Sequence, residues 1–161
     1  MIICIGREFG SGGHEIGKKV ADSQLITELA SEDNCVFIGR CADYITPAVK
    51  YHNILLAQIS ICRVVINCWS NILQTADIER ISLFIAAPFQ DRVKRKMELL
   101  QMNEKSTITL VRKTDKERKA YYAYYTGRSW GKPHNYDFCI NSSNYGIQRT
   151  AEILAEKLAQ M

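Results

Sequence analysis

The first twenty residues, MIICIGREFGSGGHEIGKKV, constrain this chain more than any other stretch. Ile2, Ile3, Cys4 and Ile5 form a short apolar run rich in β-branched side chains, suited to a buried strand. Gly10, Gly12 and Gly13 then supply a turn with no Cβ to obstruct it, and Ile16 and Val20 restart the apolar pattern at helical spacing. A strand, a glycine turn and a helix start make an anion cradle, because successive loop amides and the unpaired N–H groups of the helix end converge on one point. Phosphate is the expected ligand. The common phosphate loop, G-x-x-x-x-G-K-S/T, ends in a lysine that reaches the terminal phosphates and a hydroxyl that holds magnesium. Here Gly13 stands where that lysine is expected, and His14 and Glu15 follow it. Lys18 and Lys19, a turn further into the helix, are the candidate substitutes.

A chain of 161 residues, 47% of them hydrophobic, suffices for one domain with a real core. Its formal charge of +4 suits a small phosphate-bearing ligand and falls short of the concentrated charge of a dedicated nucleic-acid binder. The six cysteines (Cys4, Cys35, Cys41, Cys62, Cys68, Cys139) include no C-x-x-C pair, and three lie in apolar runs. Buried free thiols in a reducing compartment are expected rather than disulfides or a zinc site. The first strand begins without a charged leader, so a cytoplasmic location is expected.

Helical spacing continues from Glu15 to about Ser31, with a candidate break at Asp22 and Ser23. CVFIGR then reads as a second strand buried on both faces, which implies a parallel crossover. Arg40 and Asp43 follow it at the carboxyl edge, where open α/β sheets bind ligands. An arginine there either grips a phosphate bidentately or pairs with Asp43. Between Thr46 and Arg80 the run ILLAQISICRVVINCW fits a helix buried on two sides or a pair of strands. At about 16 residues, broken by Gln58, Ser60 and Arg63, it is short of the roughly 20 a membrane span needs, so no membrane association is expected. An apolar face that broad calls for a cover, either the rest of the domain or a second copy of the chain in a homo-oligomer.

ISLFIAAP is a further buried strand, and FQDRVKRKMELLQM an amphipathic helix whose basic block, Arg92, Lys94, Arg95 and Lys96, reads by default as a solvated face. The polar stretch from Glu104 carries Arg112, Lys113, Asp115 and Arg118, then Tyr121, Tyr122, Tyr124, Tyr125 and Trp130. By itself it reads as a charged surface helix, as a cationic flap hinged at Gly127 or Gly131, or as a single-stranded nucleic-acid platform, in that order. YDFCI is a last strand and Tyr145 to Leu158 a closing helix. Four strand-length runs separated by helices specify α/β architecture with a parallel sheet.

REFGSGGHEIGKK, NCVFIGRCADYI and RKTDKERKAYYAYYTGRSWGKPHNYDFCINSS resemble the cytidylate kinase-like family of P-loop nucleoside monophosphate kinases. The last stretch matches that family's lid and final strand nearly residue for residue. The resemblance implies a single domain over residues 1–161 with a three-layer P-loop NTPase fold, helices on both faces of a parallel sheet and a helical lid at about 104–134. It implies transfer of the γ-phosphate of ATP, with Mg2+, to CMP or dCMP. Gly10, Ser11, Gly12, Gly13, His14 and Glu15 would then wrap the donor phosphates, and Arg40 with Asp43 would hold the acceptor. Arg118 would neutralise the transferring group with Asp115 holding it in place, Arg112 or Lys113 would add a second cation, and Asn141, Ser142 and Ser143 would lie near the adenine. Magnesium ligands remain unassigned. Nucleic acid is not the expected partner; nucleotides are.

Three departures qualify the resemblance. His14 replaces the arginine usual in the family's loop, the segment after Ala21 is too short to hold the usual acceptor-binding region, and residues 46–80 have no recognisable counterpart. They motivate an alternative, a degenerate kinase fold that binds nucleotide or phosphate without transfer.

Overall fold

Each apolar run the sequence marks as a strand pairs in parallel with its neighbour, as chains buried on both faces do. The computed structural model describes residues 2–21, 35–38, 64–66 and 80–160. Among them β1 (Ile2–Arg7), β2 (Cys35–Ile38), β3 (Val64–Ile66), β4 (Arg80–Ala86) and β5 (Phe138–Asn141) form one sheet in the order β3-β2-β1-β4-β5. Ile5 lies opposite Ile38 on one side and Leu83 on the other. The helices are α1 (Gly13–Ala21), α2 (Phe89–Leu100), α3 (Glu104–Thr126) and α4 (Ser142–Leu158).

Side chains alternate across the strands, and the two sets build separate cores. Ile3, Ile5, Ile81, Leu83 and Ile85 meet Ile16 and Val20 of α1 and Ala151, Leu154, Ala155 and Leu158 of α4. On the opposite face Phe84 packs with Tyr122 of α3 and with Tyr136, and Trp130 stands edge-on to Phe84 at 5.4 Å between ring centroids. The expected parallel sheet with helices on both faces is therefore present. The tyrosines that suggested a nucleic-acid platform divide: Tyr122 is buried in this core, whereas Tyr124 is 82% exposed.

Local signals set the element ends. Asn103 accepts the Ser106 amide at 2.9 Å and opens α3; Asn141 accepts the Ser143 amide at 3.0 Å and opens α4. Asp137 accepts the Ser82 amide at 2.7 Å and hydroxyl at 2.8 Å, fastening the entry of β5 to β4.

Two sequence expectations change. A fifth strand, β3, comes from within 46–80 and lies outermost beside β2; the rest of that stretch, and with it the broad apolar face, lies outside the described residues. Cys4 is a buried thiol in no disulfide, as expected, but Cys139, likewise in no disulfide, is exposed. Among the described residues no helix is long and apolar enough to cross a membrane.

The strand order reverses between β1 and β4. In an open α/β sheet the crevice outside the carboxyl ends at such a point is where ligands bind. Here it lies between the loop after β1 and the start of α2.

Candidate functional site

The loop Glu8–Gly12 leaves the end of β1 and turns into α1, and it is fastened at every level. The Glu8 amide donates to the Ile85 carbonyl at 3.1 Å, and the Glu8 carboxylate accepts the Ala87 amide at 2.9 Å. Buried Ser11 donates its hydroxyl to the Glu8 carbonyl at 2.9 Å. Gly10 has φ of 91°, in the left-handed region, and a Cβ there would lie 2.8 Å from the Arg92 carbonyl oxygen. Only glycine lets the loop approach α2 this closely.

Arg92 is the hub beneath the loop, only 6% exposed. Its Nε donates to the Ala87 carbonyl at 2.9 Å and lies 3.3 Å from the Glu8 carboxylate; Nη1 donates to the Phe9 carbonyl at 3.2 Å and to the Asp115 carboxylate. The other Asp115 oxygen accepts the Phe9 amide at 2.9 Å. Loop, α2 and α3 are thus locked by one buried cation between two carboxylates. Ser142 adds a second tether, donating to the Ser11 carbonyl at 2.6 Å with the Ala86 carbonyl at 3.2 Å. Replacing Ser142 by alanine should cost about 1 kcal/mol, read as a lower denaturant midpoint; an unchanged midpoint would deny the tether.

Above this lattice lies a cleft of about 220 Å³, lined by Arg7, Glu8, Phe9, Gly10, Gly12, Gly13, His14, Glu15, Arg95, Lys96 and Arg118. Pockets that enclose a whole organic ligand run to roughly 300–1,000 Å³, so the volume suits an anionic tail with the remainder of the ligand outside. Four cations line it. Arg118 of α3 donates Nη1 to the Arg7 carbonyl at 3.0 Å, and its guanidinium lies 5.4 Å from the Phe9 ring centroid. Arg95 pairs with Glu15 at 2.9 Å. The Lys96 ammonium rests 4.6 Å above the same Phe9 ring. Burial lowers its pKa from the ordinary lysine value; Arg95, Arg118 and Arg7 push the same way and Glu15 opposes them.

Of the residues singled out from sequence, Gly10, Gly12, Gly13, His14, Glu15 and Arg118 line the cleft, while Ser11 lies beneath it as a buried support. Asp115 holds the loop and Arg92 through its two oxygens. Arg112 lies over the Phe89 ring, and neither it nor Lys113 lines the cleft. Lys18 is exposed and Lys19 bonds Gln148 at 2.7 Å, so neither candidate substitute for the loop lysine lines it. Arg40 and Asp43 lie outside the described residues.

Sequence reasoning missed Arg7, Phe9, Arg92, Arg95 and Lys96. The last three come from the block read as a solvated face, of which Arg92 is buried and Arg95 and Lys96 are half-buried. Spacings of three and four put them on one helix face, but only the position of α2 beside the loop turns that face inward.

A family model described as the cytidylate kinase-like family matches residues 62–144, which include α2, α3 and β5. The chain belongs to the cytidylate kinase-like family. The matched span also takes in residues 62–80, for which the sequence by itself offered no counterpart. A crystal structure of an uncharacterized protein from Eubacterium ventriosum is 26% identical with a TM-score of 0.67, covering 100% of this chain and 99% of that one. Shikimate kinase from Bacteroides thetaiotaomicron is 13% identical with a TM-score of 0.49, covering 98% of each chain. No curated protein matches closely enough to count as a relative. With its parallel sheet and glycine loop, this is a kinase-like protein.

Proposed function

We propose that this kinase-like protein is a nucleoside monophosphate kinase that transfers the γ-phosphoryl group of ATP to CMP or dCMP. The observation that carries the reading is the convergence of Arg7, Arg95, Lys96 and Arg118 on one glycine loop at the point where the strand order reverses. ATP enters with its phosphates against the amides of the loop and of the α1 N-terminus. The bond from the γ-phosphorus to its bridging oxygen breaks as a bond to an acceptor phosphate oxygen forms. Charge then spreads over the γ-oxygens, where Arg118 acts as the principal stabilising cation. Such a reaction needs positioning and fixed electrostatics more than covalent help from the protein.

Asp115 serves by positioning, holding the Phe9 amide and Arg92 and so the shape of the loop. The described residues do not make a magnesium site of their own. Glu8 and Asp115 are occupied by backbone amides and Arg92, Glu15 pairs with Arg95, and the Ser11 hydroxyl donates to a carbonyl. Magnesium carried on ATP phosphates would supply further charge neutralisation, with water completing its shell. Arg40 and Asp43 are the proposed acceptor residues.

Steady-state assays with ATP and CMP, dCMP or UMP test the proposal. Diphosphate product is expected with the two cytidine nucleotides. Tight ATP binding without product from any of the three would make this a nucleotide-binding protein that transfers nothing.

A further inference from the structure

The lysine of the common phosphate loop is missing here, and the structure shows why this loop cannot carry one at Gly13. A Cβ at that position would lie 2.7 Å from the Arg7 Cβ and 2.9 Å from its Cδ, so the Arg7 side chain already fills the space a lysine stem would need. A cation reaching the cleft must come from another element.

The basic residues of α2 differ in what they already do. Arg92 is saturated by two carboxylates and two carbonyls. Arg95 is engaged by Glu15. Lys96 projects into the cleft with its ammonium over the Phe9 ring, and among the described residues no oxygen hydrogen-bonds or ion-pairs with it. A half-buried ammonium beside three guanidiniums, resting on a ring face and offset only by the charge of Glu15, which Arg95 already pairs, is a costly arrangement for the empty protein. An anion in the cleft relieves it.

We infer that Lys96 is the phosphate-contacting lysine of this protein, supplied from α2 in place of the lysine that phosphate loops carry at the loop's end. The inference rests on the nucleotide-binding reading of the cleft and assigns one of its contacts. An ammonium on a flexible stem can follow the phosphate as charge moves, whereas Arg7 and Arg95 are fixed by packing and by Glu15. The Phe9 ring keeps that stem aimed inward while the cleft is empty.

Calorimetric titration with ATP tests this on wild type, Lys96→Met, Lys96→Arg and, as a control, Lys18→Met. Loss of a charge-assisted contact should weaken ATP binding about ten- to hundredfold in Lys96→Met. Lys96→Arg should restore most of the affinity, and Lys18→Met should match wild type. A pH series adds a readout that a packing role would not move. The groups facing Lys96 are Arg7 and Glu8 from β1 and its loop, His14 and Glu15 from α1, Arg118 from α3, and Arg92 and Arg95 from its own helix. Above the imidazole range and up to the ordinary lysine range, carboxylates, imidazoles and guanidiniums keep a constant charge while a lysine of lowered pKa loses its proton earlier than a free one. Wild-type affinity should fall across that window, and the affinity of Lys96→Arg should not. Wild-type affinity in Lys96→Met, or an alkaline fall that persists in Lys96→Arg, overturns the assignment and leaves the cleft intact. Failure of ATP to bind the wild type overturns the nucleotide reading itself.

Discussion

Arg118→Ala should lower turnover by a hundredfold or more at saturating ATP, with a smaller change in ATP affinity. An arginine that stabilises the transferring phosphoryl group contributes on the order of 10³–10⁵ in rate; part of that remains here because Arg7, Arg95 and Lys96 stay in the cleft. The guanidinium also donates to the Arg7 carbonyl at 3.0 Å, so a modest loss of stability should accompany the kinetic one. Steady-state rates beside a thermal melt separate the two. Arg118→Lys keeps one charge but loses the fork, and should recover only part of the rate. An alanine variant that turns over at the wild-type rate would remove Arg118 from the chemistry.

Arg92→Met should be the most destabilising single change at the site. It removes a buried guanidinium from between the carboxylates of Glu8 and Asp115, whose side chains are 23% and 18% exposed. Removing one partner of a buried pair costs about 3–5 kcal/mol. The partial exposure of both carboxylates favours the lower end, about 3 kcal/mol, against a total stability of roughly 5–15 kcal/mol for a domain. Urea denaturation of Arg92→Met and Asp115→Asn measures it. The double variant should cost less than the sum of the singles, because the unpaired charge disappears with its partner. A midpoint for Arg92→Met within error of wild type would mean that the lattice under the loop carries no weight.

Local pattern revealed those parts of the protein whose physics is local. Ile2–Ile5, Cys35–Ile38 and Ile81–Ile85 are largely apolar on consecutive residues, and such runs pair on both sides whatever surrounds them. The glycine loop was legible because the positive φ of Gly10 and the contact of Gly13 with Arg7 arise within a few residues of chain. β3 was not, since three apolar residues inside a longer apolar run fit helix and strand alike and only pairing with β2 decides between them. Ser142 is a buried tether to Ser11, a bond across 131 positions that no local spacing announces.

The sequence alone determined that a parallel α/β domain would present a bare glycine bend after its first strand, and only its resemblance to a known family singled out Arg118 on a later helix. Only the tertiary structure decided which cations arrive. Arg92, Arg95 and Lys96 are near neighbours on one helix, yet one is buried as a brace, one is paired and one is left over the Phe9 ring. Helical spacing fixes the face a residue occupies, whereas the fate of a charge depends on the dielectric and partners that packing brings to that face.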